Sequence, residues 1–180
     1  MTLELLRQEL PDFAKDIKLN LGAILSDSGM EGLTANQRLG IALACAYTTK
    51  NERLINATLA TATPVLTENE LNAAKAAATI MAMNNIYYRF THLVSDKDYA
   101  TLPAKLRMNV MVNHGISKID FELYSLAVSA INGCGMCMDS HVKNVEREGV
   151  SKVGVQSAIR IASIIHATAQ ALTIPQQHYA

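Results

Sequence analysis

The chain has 180 residues, which suits one domain, because a single hydrophobic core stays favourable at this size. Hydrophobic residues make up 49% of it, and 16 Lys and Arg balance 16 Asp and Glu, so the charge gives no sign of a nucleic-acid-binding face. Acidic residues interrupt the N-terminal segment early and no apolar run approaches the ~18 residues of a transmembrane helix, which predicts a cytoplasmic protein with no membrane segment.

Helix-forming residues run through nearly the whole chain, whereas glycine and proline number only 9 and 4. Residues 12–24 carry apolar side chains at helical spacing, and residues 26–29 break the pattern. Residues 35–47 are strongly apolar and predict a buried helix. No convincing run of alternating β-branched residues occurs, so the expected fold class is all-α.

A capping box predicts the start of the next helix. Thr67 is followed three residues later by Glu70, ahead of an alanine-rich run over residues 71–83. Residues 84–90 either continue this helix or begin another. Residues 96–106 predict a connection with short helical turns.

The C-terminal third predicts three more helices. Ser117 is a second possible cap, and residues 121–131 predict a buried helix that the Asn132-Gly133 pair ends. Another helix is expected from near Cys134 to about residue 148.

The last helix is expected to begin after Ser151, which follows the helix-terminating Gly149. It is long and ends before Pro175. The tail over residues 176–180 is expected to be loose.

A weak internal repeat divides the chain into two similar halves. Residues 37–56 align without a gap with residues 122–141, and residues 66–84 align with residues 150–168. The first copy has other residues where the second has its candidate site residues: Gln37 for Glu122, Thr49 for Cys134, Glu52 for Cys137 and Asn56 for His141. The sequence therefore predicts one domain over residues 1–180, with a degenerate half at about 35–90 and an active half at about 117–174.

Two of the three cysteines form a Cys-x-x-Cys pair, Cys134 and Cys137. An odd count of three is a poor framework for a secreted protein, so the pair indicates redox chemistry or metal binding in the cytosol. Cysteines at i and i+3 across the first turn of a helix can close a disulfide. Cys45 lies in an apolar helix and is expected to be a packed core thiol.

Three features favour ionisation of a thiol in this pair. Both sulfurs are expected near a helix N-terminus, where free N–H groups and the macrodipole stabilise negative charge. His141 follows Cys137 by four residues on the same helical face and is suited to accept a proton. Glu122 is a lone carboxylate in an apolar helix, and it can orient His141 if the two face each other.

The sequence leaves open the alternative that the same residues bind a metal ion. Zinc would recruit Cys134, Cys137 and His141, with a fourth ligand from Glu122 or His166. His166 is otherwise expected to be a buried histidine with its hydrogen bonds satisfied. The other histidines are expected to be surface or locally hydrogen-bonded residues: His92, His114 and His178.

The pattern Glu122–x11–Cys134–x2–Cys137–x3–His141 resembles the alkyl hydroperoxide reductase AhpD family, within the carboxymuconolactone decarboxylase-like superfamily. Residues 132–141, NGCGMCMDSH, carry most of the match. The chain length, the segment FAKDIKLNL at residues 13–21 and the two-copy layout extend the resemblance over nearly the whole chain. It implies an AhpD-like all-α fold and a homotrimer.

The resemblance also implies a lipoyl-dependent peroxidase with no bound cofactor. A dihydrolipoyl group on a 2-oxoacid dehydrogenase component would reduce the disulfide, and the dithiol would reduce a peroxiredoxin, AhpC, or slowly turn over alkyl hydroperoxides. Cys137 would become the sulfenic acid, and Cys134 would donate a proton, resolve that acid and form the mixed disulfide with the peroxiredoxin. Glu122 and His141 would form the proton relay. Some members have a histidine just before the second cysteine, and Met136 stands there in this chain.

From the residues alone, the roles of the two cysteines stay open. A helix start favours Cys134 as the low-pKa thiol, and the spacing to His141 favours Cys137. Two alternative functions also stay open: a non-redox carboxymuconolactone decarboxylase-like enzyme, whose relatives do not rely on a Cys-x-x-Cys pair, and a metal- or redox-sensing interaction protein.

Overall fold

The computed structural model describes residues 1–26 and 28–175, and over these residues the chain is helical with no strand. The all-α expectation is therefore confirmed. No helix in this described part is long and apolar enough to cross a membrane. Its α-helices are α1 Leu3–Gln8, α2 Lys15–Leu25, α3 Ala35–Thr49, α4 Glu52–Ala62, α5 Glu68–Leu93, α6 Lys118–Ile131, α7 Gly135–Arg147 and α8 Lys152–Thr173.

Two central helices, α3 and α6, hold the core. They pack against each other, and each also packs against α5 and α8. Residues 38–46 of α3 and residues 121–129 of α6 are buried without interruption. A helix buried on every side is mostly apolar or small on every side, and the prediction of buried helices at 35–47 and 121–131 rested on that feature. Arg38 and Glu122 are the charged residues within these buried stretches.

A glycine sets the distance between the two central helices. Tyr124 of α6 is fully buried and lies against Gly40 of α3 so closely that a Cβ at residue 40 would stand 1.9 Å from Tyr124 Oη. Burial raises the pKa of the Tyr124 hydroxyl, because its anion would lose its hydration. The phenol therefore stays neutral within the core.

Side-chain caps begin the helices where the sequence predicted them. Thr67 and Glu70 form the expected capping box at α5, and Ser117 and Ser151 cap α6 and α8. Helix α5 runs to Leu93, so residues 84–90 continue this helix and do not begin another.

Several boundaries differ from expectation. The segment 12–24 is divided into a 3₁₀ helix at Asp12–Ala14 and α2, and α1 was not predicted. The connection between α5 and α6 has the expected helical turn at Lys97–Ala100, and a second 3₁₀ helix at Asn109–Met111 that was not anticipated. The break after α2 falls at Ser26 as expected, although residue 27 and the tail at 176–180 lie outside the described residues.

The N-caps support the prediction of two similar halves. Caps in corresponding places are separated by 83, 83 and 84 residues: Thr34 and Ser117, Asn51 and Cys134, Thr67 and Ser151. This register pairs Cys134 with Asn51, whereas the sequence alignment paired it with Thr49. The two-half organisation itself stays a prediction.

Candidate active site

The Cys-x-x-Cys pair lies at the junction between α6 and α7. Helix α6 ends at Ile131, Gly133 adopts the left-handed conformation with φ of 70°, and Cys134 is the N-cap of α7. Cys134 and Cys137 form a disulfide, and the Cys137 amide N–H donates to Cys134 Sγ at 3.3 Å. Both sulfurs therefore lie at the helix N-terminus, where backbone donors and the helix dipole stabilise a thiolate after reduction.

A hydrogen-bonded network fixes the turn that precedes Cys134. Arg89 of α5 donates to the backbone oxygen of Asn132 at 2.7 Å, and the Asn132 side chain donates to Asn85 Oδ1 at 2.9 Å. Asn85 in turn donates to Ser129 Oγ at 2.9 Å. Helix α5 thus holds the end of α6 and the start of the redox segment in one geometry. Sequence reasoning identified Asn132 only as part of the helix stop and missed Arg89, Asn85 and Ser129, since single polar residues on a helix carry no pattern.

The second part of the site is a buried carboxylate–histidine pair. Glu122 of α6 is 8% exposed and His141 of α7 is 5% exposed, and Glu122 Oε2 lies 2.6 Å from His141 Nδ1. The other carboxylate oxygen, Oε1, accepts a hydrogen bond from Asn144 Nδ2 at 3.0 Å. The structure therefore brings Glu122 and His141 into direct contact. Asn144 was missed, although its position three residues after His141 places it on the same face of α7.

Opposing influences act on the Glu122 carboxyl group. Burial is the largest and by itself would raise its pKa, but the hydrogen bonds from His141 and Asn144 and the positive charges of His141 and Lys118 outweigh it. The net result is a pKa below the ordinary value. An ionised Glu122 accepts from His141 Nδ1–H, so in the neutral form of the ring Nε2 is the basic nitrogen.

A cavity of about 320 Å³ gives access to this site. Cys137 and His141 both line it, whereas Cys134 is fully buried and is not part of its wall. Most of the remaining wall is apolar and rich in methionine: Met81, Met108, Met111, Met136 and Tyr88. A reagent that enters the cavity therefore meets Cys137 before Cys134.

A groove of larger volume adjoins the cavity. It has a volume of about 710 Å³ and shares Tyr88 and Met136 with the inner cavity, and Tyr87, Tyr99 and Leu102 also line it. The sequence left the Tyr87-Tyr88 pair as either packing residues or the lining of an access channel. The two rings contact each other edge to face at 5.3 Å, and both line the groove.

The described residues give no support to the hypothesis of a metal site. They contain no group of three or more His, Cys, Asp or Glu side chains arranged to hold an ion. His166 was expected to be buried and is exposed on α8, so that expectation was wrong; the long apolar run around it has one outward face. Glu122, the other proposed fourth ligand, is bound to His141.

The sequence assigned the other cysteine and three other histidines no role in the site. Cys45 is fully buried, as expected, and burial raises its thiol pKa, so it stays protonated and inert. His92 is exposed, and His114 accepts from the Ile116 amide and stacks on Phe121, which fits the surface and local roles expected of them. His178 lies outside the described residues.

Comparisons with known proteins agree with the resemblance of the site. A model of the carboxymuconolactone decarboxylase family matches residues 97–174. A Coxiella burnetii protein named alkyl hydroperoxide reductase AhpD is 54% identical over 168 residues, covering 93% of this chain and 95% of the relative. Proteins of the same name from Rhodopseudomonas palustris and Azorhizobium caulinodans are 54% and 53% identical over 94% and 96% of this chain, and over 92% and 93% of their own lengths.

Proposed function

The chain belongs to the alkyl hydroperoxide reductase AhpD family, and from that membership and its site we propose that it is a thiol-dependent reductase of alkyl hydroperoxides. The observation that carries the proposal is the Cys134–Cys137 disulfide at the start of α7, with Cys137 and His141 in the wall of one cavity. The reaction oxidises this dithiol to the disulfide and reduces the hydroperoxide to an alcohol and water.

The first step is attack by the Cys137 thiolate on the terminal oxygen of the hydroperoxide. A sulfur–oxygen bond forms, the oxygen–oxygen bond breaks, and Cys137 becomes a sulfenic acid as the alkoxide takes a proton to leave as the alcohol. Cys134 then attacks Cys137 Sγ, which closes the disulfide and releases water once a second proton is supplied.

The proposed proton relay runs through His141 and Glu122. His141 accepts the Cys137 proton, and Glu122 holds the ring in the tautomer that leaves Nε2 free and stabilises the cation that forms. Cys134 supplies the other proton. Met136 lies between the two cysteines and has a thioether, so no proton passes through that position.

Exposure supports Cys137 as the peroxide-attacking residue. Cys137 is 8% exposed and lines the cavity, whereas Cys134 is 0% exposed. The test is to reduce the single variants Cys134→Ser and Cys137→Ser, add one equivalent of cumene hydroperoxide and trap sulfenic acid with dimedone. Label is expected on Cys137 of the Cys134→Ser variant, and label found only on Cys134 of the other variant would reverse the assignment.

We further propose that the disulfide is reduced by a dihydrolipoyl group carried on a 2-oxoacid dehydrogenase component, and that the dithiol serves an AhpC-like peroxiredoxin in the cytoplasm. Two dihydrolipoyl thiols give up two electrons and become a cyclic disulfide, and no cofactor has to be bound by the chain. The groove of about 710 Å³ beside Tyr88 and Met136 offers a path for a long, thin arm to reach Cys137.

The same proposal includes a homotrimer. Three large apolar side chains on one face of α5 are exposed in the single chain: Ile86 at 65%, Phe90 at 47% and Leu93 at 70%. Because they recur every three to four residues, they form one continuous stripe, and association with other copies would remove it from water.

The decisive experiment counts thiols before and after dihydrolipoamide and measures metal content on the same sample. Two thiols are expected to appear on reduction and to be lost again with cumene hydroperoxide. Neither Cys134→Ser nor Cys137→Ser should show this cycle. A constant thiol count with about one zinc per chain would contradict the proposed function and favour a metal site.

A further inference from the structure

An amide with an unpaired oxygen belongs to the wall of the cavity that Cys137 also lines. Asn84 of α5 is 5% exposed and lines the cavity together with Cys137 and His141. Its Oδ1 atom is buried, and no residue in the described ranges 1–26 and 28–175 donates a hydrogen bond to it. A buried carbonyl without a donor is costly and rare in folded proteins, so this one needs an explanation.

The next residue shows what an asparagine with a purely structural role looks like in the same helix. Asn85 is 1% exposed, and both ends of its amide are used, one by Ser129 and the other by Asn132. Asn84 lacks such a partner for its oxygen and lines the cavity. A ligand in the cavity would supply the missing donor.

The rest of the wall defines the chemistry of that ligand. Met81, Met108 and Met111 offer flexible apolar surface that can adapt to differently shaped hydrocarbon groups. The ligand that matches is therefore a molecule with one hydrogen-bond donor near Cys137 and an apolar remainder. An alkyl hydroperoxide has this composition, since its terminal oxygen bears its only O–H and the other oxygen carries the hydrocarbon.

We propose that Asn84 binds alkyl hydroperoxides by turning its amide towards the cavity and accepting the hydroperoxide O–H at Oδ1, which holds the terminal oxygen against Cys137 Sγ. This assignment rests on the proposed function. As the sulfur–oxygen bond forms and the oxygen–oxygen bond breaks, the terminal oxygen keeps its hydrogen, and the alkoxide takes the proton that His141 removed from Cys137. The new sulfenic acid therefore keeps its hydrogen bond to Asn84 until Cys134 displaces its oxygen as water.

The two half-reactions make different demands on Asn84. Reduction of the disulfide begins with a thiolate of dihydrolipoamide, which has no hydrogen to donate to Oδ1. Oxidation by a hydroperoxide uses that donor directly. A change at Asn84 should therefore slow oxidation and leave reduction nearly unchanged, and a structural role would not separate the two.

The test uses Asn84→Leu, which keeps the size of the side chain and removes its acceptor, and Asn84→Ala as a second variant that fits without steric overlap. Stopped-flow measurements give the second-order rate constant of the reduced protein with cumene hydroperoxide and that of the oxidised protein with dihydrolipoamide. Both variants are expected to lose about tenfold in the first constant, as for one hydrogen bond, and to stay within about twofold in the second. Asn72→Leu makes the same change at an exposed position of α5 and should alter neither.

The outcomes separate this inference from the proposed function. A wild-type protein that does not react with hydroperoxide overturns both. A wild-type protein that reacts, together with Asn84 variants that are unchanged in oxidation or equally slowed in both half-reactions, overturns the role of Asn84 alone.

Discussion

Glu122 is a buried carboxylate with a partner on each oxygen, His141 on one and Asn144 on the other. Such a group is held rigidly, and its charge is poised to stabilise a protonated His141. The geometry suits a residue that acts through the histidine and does not itself touch the peroxide. The contribution of Glu122 can be measured both on the rate of hydroperoxide reduction and on the free energy of unfolding.

The rate prediction concerns the two relay residues. Glu122→Gln and His141→Gln are each expected to slow hydroperoxide reduction by about 10²-fold, the usual loss when a general base is removed. Steady-state assays with dihydrolipoamide and cumene hydroperoxide measure the effect, and thiol counts confirm that the dithiol is intact. Near wild-type rates in both variants would show that the thiol loses its proton by another route.

The stability prediction follows from the lowered pKa of Glu122. A folded-state pKa below the ordinary value near 4.5 means that the ionised carboxylate adds stability. That contribution is fully present above the unfolded-state pKa and is lost as the pH falls through the lower folded-state pKa. Urea titrations between pH 7 and pH 3 should therefore show a loss of stability in wild type at the acid end that Glu122→Gln lacks. Parallel profiles for the two proteins would contradict it.

The sequence could point to candidate residues with reactive or ionisable side chains, but not to the neutral residues around them. Cys134, Cys137, His141 and Glu122 were proposed because cysteine pairs, histidines at i+4 and lone carboxylates in apolar helices are rare enough to carry information. Asn84 could not be found in this way, since asparagine is common on helix surfaces, and only its burial without a donor gives it meaning.

At the scale of the helix, Gly40 decides how closely α3 and α6 pack. Gly40→Ala is expected to destabilise the fold by about 1–3 kcal/mol, because the new methyl group would overlap the Tyr124 phenol and overpacking outweighs the gain in helix propensity. Equilibrium urea unfolding at fixed protein concentration measures the difference.

Gly22 offers the matched control, since it lies within α2 and a Cβ there would meet only the Arg7 side chain, at 3.7 Å or more. Gly22→Ala should be neutral or stabilising by up to about 1 kcal/mol. If Gly40→Ala behaved in the same way, the packing argument for α3 and α6 would be wrong.

The helix starts that carry a capping side chain within a longer helical pattern were predictable, and the short helix α1 was not. Three of these N-caps are Thr67, Ser117 and Ser151, and the side chain of each accepts a hydrogen bond from a backbone N–H in the first turn. Such a cap depends only on residues close in sequence, so the sequence reveals it. Helix α1 has six residues, too few for a periodic pattern, and it packs against α2 and α4, which the sequence does not place beside it.

At the scale of the whole molecule, the exposed stripe on α5 offers a contact surface for the proposed homotrimer. Wild type is expected to have a mass about three times 19.5 kDa in light scattering. Leu93→Glu places a charge in the stripe and should shift the protein towards the monomer, because burying an unpaired carboxylate is costly. Gln170→Glu, at an exposed position of α8, should leave the mass unchanged. A wild-type monomer at all concentrations would rule out the trimer.

The overall arrangement could be predicted only in part. The apolar runs at 35–47 and 121–131 identify the two central helices, because a helix buried on all sides needs such a run. The cavity could not be predicted, since Met81 comes from α5, Met111 from the connection after it and Met136 from α7. Such a wall exists only once the helices have packed.

The cap of α7 differs from the other side-chain caps in the described residues, because its acceptor is the sulfur of Cys134 and theirs are oxygens. Sulfur is a weaker acceptor, so once the disulfide is reduced and Cys134 is a neutral thiol, this first turn is held less firmly than the starts of the oxygen-capped helices. In the reduced protein, the amide of Cys137 should then exchange its hydrogen sooner than the corresponding amide of Glu70 in α5. Local opening of that turn would bring the buried Cys134 to the surface, and a protein too large for the cavity could then exchange disulfides with it.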